Sequence, residues 1–405
     1  MSQAEKLSLV AAALPGMTAL IALLFTWMSV HEAHTGQENT KQAQITNRFH
    51  ASIQDLGSAS RDVRLGGIYS LQRLMVDSPR DQPRIVSVLS AYVRLHSPHP
   101  LHGGFTKDPD AVDTLTPPQT DIQAVLGVLA ERSADHDKRD RLVDLSVTDL
   151  RGTAVVARGK APSKGGWTWS PGAPRVRAAF RTASFNQSDL YYSRFIGVDL
   201  RGAWFAQSNL TDATFEDVDL SHTVMEEADL TRTTFSQADL TGADLDSADL
   251  HEADLEEAVN LTKATFVTAN LTGAWLDGTN LRYATLVGAD LRGAHLEKAN
   301  LHGARLSNVE PVALPNKSSY AVDENGNLAK ADLIGADLTS ADMRGVGLRG
   351  ADLEHADLRG ADLRHADLTG ADLRFADLTG ARLDGAKWQQ AKLAGVRGLP
   401  PWLRP

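Results

Sequence analysis

The sequence predicts a mainly β protein, a solenoid of short stacked edges, preceded by a membrane-length apolar helix and a small α-helical region. Three observations predict it. A large apolar residue returns at every fifth position from Phe180 through Phe185, Leu190, Phe195 and Leu200 to Leu255. A small residue stands two places before each of these centres, as at Ala178, Ala183, Ser188 and Ser193. Far upstream, the 24 residues from Leu7 to Val30 carry no charge.

As a helix, Leu7–Val30 extends roughly 36 Å, enough to span a bilayer. A cleaved signal peptide has a shorter apolar core and a small-x-small site, which Ser29, Val30 and His31 do not provide. Pro15 and Gly16 kink such a helix without forbidding it, and Trp27 sits where an interfacial aromatic belongs. The expectation is a single-pass anchor in the cell membrane at 7–30, with the repeats on the cytoplasmic side.

A helical domain with a Pro- and His-rich loop is expected over 37–135. Phe49, Ile53 and Leu56, then Leu65, Ile68, Leu71, Leu74 and Met75, recur at helical spacing. Asp81 is the expected cap of a third helix with Pro83 in its first turn, and Thr120 with Gln123 has the form of a capping box before a fourth. His96 to Pro118 reads as the loop.

The repeat occupies 141–395, with loops near 156–177 and 308–325 and a tail or cap at 396–405. A polar residue, often Asp or Asn, separates the small and large positions, as at Asp189, Asn209 and Asp239. Small-in, polar-out, large-in is a three-residue strand of period two, and the remaining two residues suit a tight corner. Such edges are stable only when coil stacks on coil. The phase slips by one residue at Val259 and Asn260, runs on to Leu306, is lost over Val309 to Asn325, and resumes from Leu328 to Leu393. The three blocks hold 16, 10 and 14 pentads, 40 in all, and Leu145 and Leu150 share the first block's phase.

Ala331-Asp332-Leu333, Ala351-Asp352-Leu353 and Ala371-Asp372-Leu373 resemble the pentapeptide-repeat family, and the likeness covers most of Ala178 to Leu393. The resemblance implies a right-handed quadrilateral β-helix with four pentads per coil, hence about ten coils. Asp62-Val63-Arg64-Leu65-Gly66-Gly67-Ile68-Tyr69 is similar to the segment that precedes such repeats in bacterial, especially actinobacterial, members. The end coils need cover; the helical domain is expected at one end and Leu399 to Leu403, with Trp402, at the other.

No catalytic, cofactor or metal residue is expected. Inward positions are filled by Leu, Phe and Ala, and the absence of Cys removes thiol chemistry and disulfides. His31-Glu-Ala-His34 has the wrong spacing for a zinc protease, and His96, His99 and His102 lack a fourth ligand. Charge is divided. Ala178 to Glu257 has 4 basic against 17 acidic residues, whereas block three places Arg344, Arg349, Arg359, Arg364 and Arg374 at its corners. The partner-binding candidates are corner acids of the acidic block: Glu216, Asp217, Glu256 and Glu257 on one face, and Glu226, Glu227 and Asp246 on another. These readings point to a non-catalytic, membrane-anchored scaffold for an unidentified protein partner, with a homodimer compatible and direct nucleic-acid binding not expected. The alternative takes its warrant from family members that imitate duplex DNA and bind DNA gyrase.

Overall fold

A computed structural model describes residues 26–28, 31, 37–99, 119–133, 143–156, 178–256, 259–306, 328 and 331–403. Most of Leu7–Val30, of the expected loop from His96 to Pro118 and of the two loops expected within the repeat lies outside the described residues. Among the described residues, no helix is long and apolar enough to cross a membrane. The chain forms two compact units, 1–79 and 80–405. The helices expected to share one domain are therefore divided between them, because the helix Thr120–Glu131 packs on both the helix Gln82–His96 and the first strands of the repeat.

In the first unit, helix α1 (37–56) packs against α2 (Arg61–Asp77). A Cβ at Gly67 would lie 2.9 Å from Ser52 O and Asp55 Cβ, so glycine permits this crossing. Ile68, Leu71 and Leu74 are buried, Ser52 Oγ lies 2.7 Å from Ser70 Oγ, and Arg48 pairs with Asp77 at 2.8 Å.

In the second unit, α3 (Gln82–His96) and α4 (Thr120–Glu131) precede the coils. Neither expected side-chain cap forms. Asp81 adopts helical angles at the end of a 3-10 turn, Pro79–Asp81, which turns its carboxylate from the orphan N–H groups. Gln123 instead bonds the solenoid, accepting from Ala154 N–H at 3.1 Å and donating to Ala154 O at 2.5 Å. Tyr92 donates to Asp121 at 2.7 Å inside the helix pair. Ser97 to His99 then pairs with the introductory coil: Pro98 bridges Thr148 antiparallel, and His99 N–H donates to Val147 O at 3.0 Å. Helices and connecting segment thus cover the first coil's open edge.

The coils are held by parallel pairing. β1 (Ala154–Val156), β3 (Arg194–Ile196), β5 (Thr214–Glu216) and β6 (Thr234–Ser236) form one sheet, and β2 (Ala178–Ala179) pairs with β4 (Val198–Asp199). Elsewhere single bridges link residues 20 apart, four pentads per coil, as in Asp199–Asp219, Trp204–Val224 and Asn209–Asp229. The phase slip appears as a spacing of 21 at Asp239–Asn260, and the partners Arg305–Asp342 show that register resumes after the interrupted segment. The four faces, in chain order, are marked by their outward residues: the first runs through Asp144, the second through Asp149, the third through Ala154 and the fourth through Ala179.

Inward centres fill the coil. Phe195, Phe215 and Phe235 stack at 5.1 and 5.2 Å, with Phe185 over Phe205 at 4.9 Å, and Leu fills most inward centres of the later coils, with Phe266 and Met343 among the exceptions. Corners place their second residue in left-handed angles, for example Gly202 at φ 63° and Glu227 at φ 58°, which turn the chain between faces. At the far end Leu399 is buried, but Trp402 is 65% exposed and does not cover the last coil. The Pro401–Leu403 3-10 turn holds Trp402 outward.

Candidate interaction surface

The outward Asp and Asn are structural before they are anything else. Asp239 accepts the N–H of Thr241 at 3.0 Å, Asn209 that of Thr211 at 3.1 Å and Asp332 that of Ile334 at 3.1 Å. Each such carboxylate or amide satisfies the corner N–H two residues on, a reason for Asp or Asn here independent of any ligand. Asn side chains also link coils, as Asn209 Nδ2 donates to Asp189 Oδ1 at 2.9 Å.

The seven corner acids do not form one patch. Glu216, Asp217 and Glu256 follow the third face, whereas Glu226, Glu227 and Asp246 follow the first, on the opposite side of the four-sided coil. Glu257 lies outside the described residues. Glu216 and Glu256 are two coils apart because Ser236 occupies the intervening corner. At about 9.6 Å their repulsion is about 0.4 kcal/mol in water and screened further by salt. On the first face the acids already bond the protein: Gln207 donates to Glu227 at 2.8 Å, and Val267 N–H donates to Asp246 at 2.9 Å.

Beside Glu256 the third face opens into a concavity of about 730 Å³, lined by Arg232, Thr234, Glu252, Asp254, Glu256, Gly273, Trp275 and His295. Thr234, Asp254, Trp275 and His295 are successive outward positions of this one column. The large indole follows two small side chains and makes a step. His295 stacks on it with centroids 3.9 Å apart and planes 4° from parallel, yet Trp275 stays 43% exposed. Sequence reading singled out Glu256 but missed Glu252, Asp254, Trp275 and His295. The available signal was Trp275 itself, an aromatic at an outward position that most pentads fill with Asp, Asn or Thr, although Trp204 stands at the same position on the first face.

Block three neutralises its own acids. Arg359 pairs with Asp357 at 2.5 Å and Arg364 with Asp362 at 2.6 Å, and these hydrogen bonds hold both carboxyls below their ordinary range. Asp352, Glu354 and Asp372 bring oxygens within 4.8 Å of one another, the spacing of a cation site. Arg374 already bonds Glu354 at 2.8 Å and Asp372 at 2.9 Å, and Lys392 bonds Asp372 at 2.8 Å. The cluster is an ion-pair network. At the other end Asp189 is 5% exposed beside His99 and Arg151, and burial pushes its carboxyl up.

Two family profiles, each described as "Pentapeptide repeats", match the chain, one at 180–224 and one at 208–246, 225–259, 235–282, 274–309, 324–353 and 348–385. No curated protein sequence matches. Among solved structures, HetL from the cyanobacterium Nostoc, titled a pentapeptide repeat protein involved in heterocyst differentiation regulation, is 27% identical at a TM-score of 0.35, covering 61% of this chain and 88% of its own. QnrB1, titled a plasmid-mediated fluoroquinolone resistance protein, is 18% identical at a TM-score of 0.21, covering 55% and 82%. A pentapeptide repeat protein of the Arabidopsis thaliana thylakoid lumen is 26% identical at a TM-score of 0.14, covering 33% and 72%. With its 20-residue coils, inward Leu and Phe columns and repeats matched over 180–309 and 324–385, this chain belongs to the pentapeptide-repeat family.

Proposed function

We propose that the chain is a non-catalytic scaffold, tethered to the membrane through Leu7–Val30, that engages a protein partner on the third face of its coils. The concavity at Trp275 carries this reading: a partly exposed aromatic beside carboxylates suits a binding surface. Catalysis has little support, since the inward columns are filled and the outward polar residues are engaged in corner hydrogen bonds and ion pairs.

The reading as a mimic of DNA that binds gyrase or another DNA-binding protein has the acidic block in its favour. The interruption of the third-face corner column by Ser236, between Glu216 and Glu256, weighs against it, because an imitation of duplex DNA needs acid along continuous ridges.

Photo-crosslinking tests the scaffold. A crosslinking residue replacing Thr214 on the third face of the full chain in its native membrane captures one protein, and the same residue at Thr285 on the first face does not. Equal capture from both positions, or none from either, overturns the proposal.

A further inference from the structure

We infer that the concavity beside Trp275 receives a cationic side chain, an arginine of the partner, whose guanidinium lies on the indole and meets Glu252, Asp254 and Glu256. The inference rests on the scaffold reading and specifies its partner chemistry.

His295 occupies one face of the indole at 3.9 Å, so the ring is held in place and its other face is turned toward the Thr234 and Asp254 side. An exposed aromatic face fixed in advance costs little ordering on binding. A planar guanidinium stacks on such a face better than an ammonium does. Gly273 leaves the corner beside the ring without a side chain; its nearest neighbour would be Glu252 Cγ at 3.6 Å.

Charge selects the occupant. Three of the lining residues are acids, and the single lining arginine is already engaged: Arg232 donates two hydrogen bonds, at 2.8 and 2.7 Å, to Asp212, which lies outside the lining. Asp254 spends one oxygen on the N–H of Glu256 at 3.1 Å, which fixes the carboxylate at the floor. An apolar peptide would desolvate these acids without pairing them, and a nucleic acid would be repelled.

The test uses the full chain and a synthetic hexapeptide of alternating glycine and arginine, with a citrulline version as the neutral isostere, measured by calorimetry at low ionic strength. The arginine peptide binds and the citrulline peptide does not. Trp275→Ala weakens binding about tenfold, and Trp275→Leu, which keeps apolar bulk without the indole face, weakens it comparably. Glu252→Gln weakens it several-fold, and Glu226→Gln on the opposite corner leaves it unchanged. Equal affinity for citrulline, undiminished binding to both Trp275 variants, or equal loss from Glu226→Gln overturns the inference. Crosslinking from Thr214 without arginine-peptide binding removes the guanidinium site and leaves the scaffold. Peptide binding without any crosslinked protein does the reverse.

Discussion

Lys392 stands one coil below Asp372, with its ammonium 2.8 Å from the carboxylate, and the same exchange occurs on every face of the last coil. Arg382, Lys387, Lys392 and Arg397 occupy the outward positions directly beneath Asp362, Asp367, Asp372 and Asp377. The final coil thus ends four columns of acid with four cations. Basic residues on an open edge also resist addition of a further strand.

This arrangement predicts acid lability. Hydrogen bonds from Arg359, Arg364 and Arg374 hold Asp357, Asp362 and Asp372 below the usual carboxylate range. A depressed folded pKa gives stability that is present above about pH 4 and lost as pH falls through the folded value, because the unfolded chain takes up protons first. Urea unfolding at pH 7 and pH 3 therefore shows a lower midpoint in acid. Arg374→Gln narrows that difference, since Asp372 then titrates nearer its ordinary value; an unchanged difference counts against the account.

Asp189 should answer acid in the opposite sense, although Asp149 one coil above it is held, against its burial, below its ordinary range by its hydrogen bonds with Arg151. Burial raises the pKa of Asp189, so its charged form is penalised above the folded value and relieved as pH falls through it. Asp189→Asn keeps an acceptor for Tyr191 N–H, now 3.1 Å away, and is expected to leave neutral-pH stability equal or higher. A loss above about 1 kcal/mol would mean that His99 and Arg151 contribute more than burial costs.

The inward and outward registers are tested at adjacent residues. Leu240 is fully buried, so Leu240→Asp forfeits roughly 1.5–3 kcal/mol of apolar burial before desolvation is added. Asp239→Asn retains the acceptor for Thr241 and changes stability by less than about 0.5 kcal/mol. Because each coil touches only its neighbours, hydrogen exchange in Leu240→Asp accelerates over Val218 to Thr262, while Leu348 to Leu378 keeps its protection.

Two glycines with similar angles should differ. Gly293 (φ 67°) has open space where a methyl group would stand, and Gly293→Asn costs under about 1 kcal/mol, as Asn tolerates left-handed angles. At Gly398 (φ 77°) a Cβ would collide with the backbone of Leu378 and Thr379. Gly398→Ala is expected to cost about 2 kcal/mol or more and to loosen the last coil first. Equal midpoints for the two variants would exclude this account.

The anchor is tested by fractionation. The full chain should stay with membranes through carbonate extraction, and removal of residues 1–30 should release it. Full-length protein in the carbonate supernatant would overturn the anchor.

The sequence by itself determined the coil, because a period of five with small, polar and large positions leaves little choice over which side chains face inward at Leu240 or Phe215. It determined the one-residue slip too, since the spacing change at Asn260 is covalent. Four pentads per coil already put Glu216 and Glu226, ten residues apart, two corners apart; only the tertiary structure decided what those acids bond, as Glu227 accepts from Gln207 and Asp246 from Val267 N–H. Gln123 likewise reads as a helix cap along the chain, yet bonds Ala154 31 residues away. The concavity was hidden for the same reason. Thr234, Asp254, Trp275 and His295 meet only through stacking at spacings of 20 and 21, and what Trp275 exposes depends on its neighbours one coil above and below.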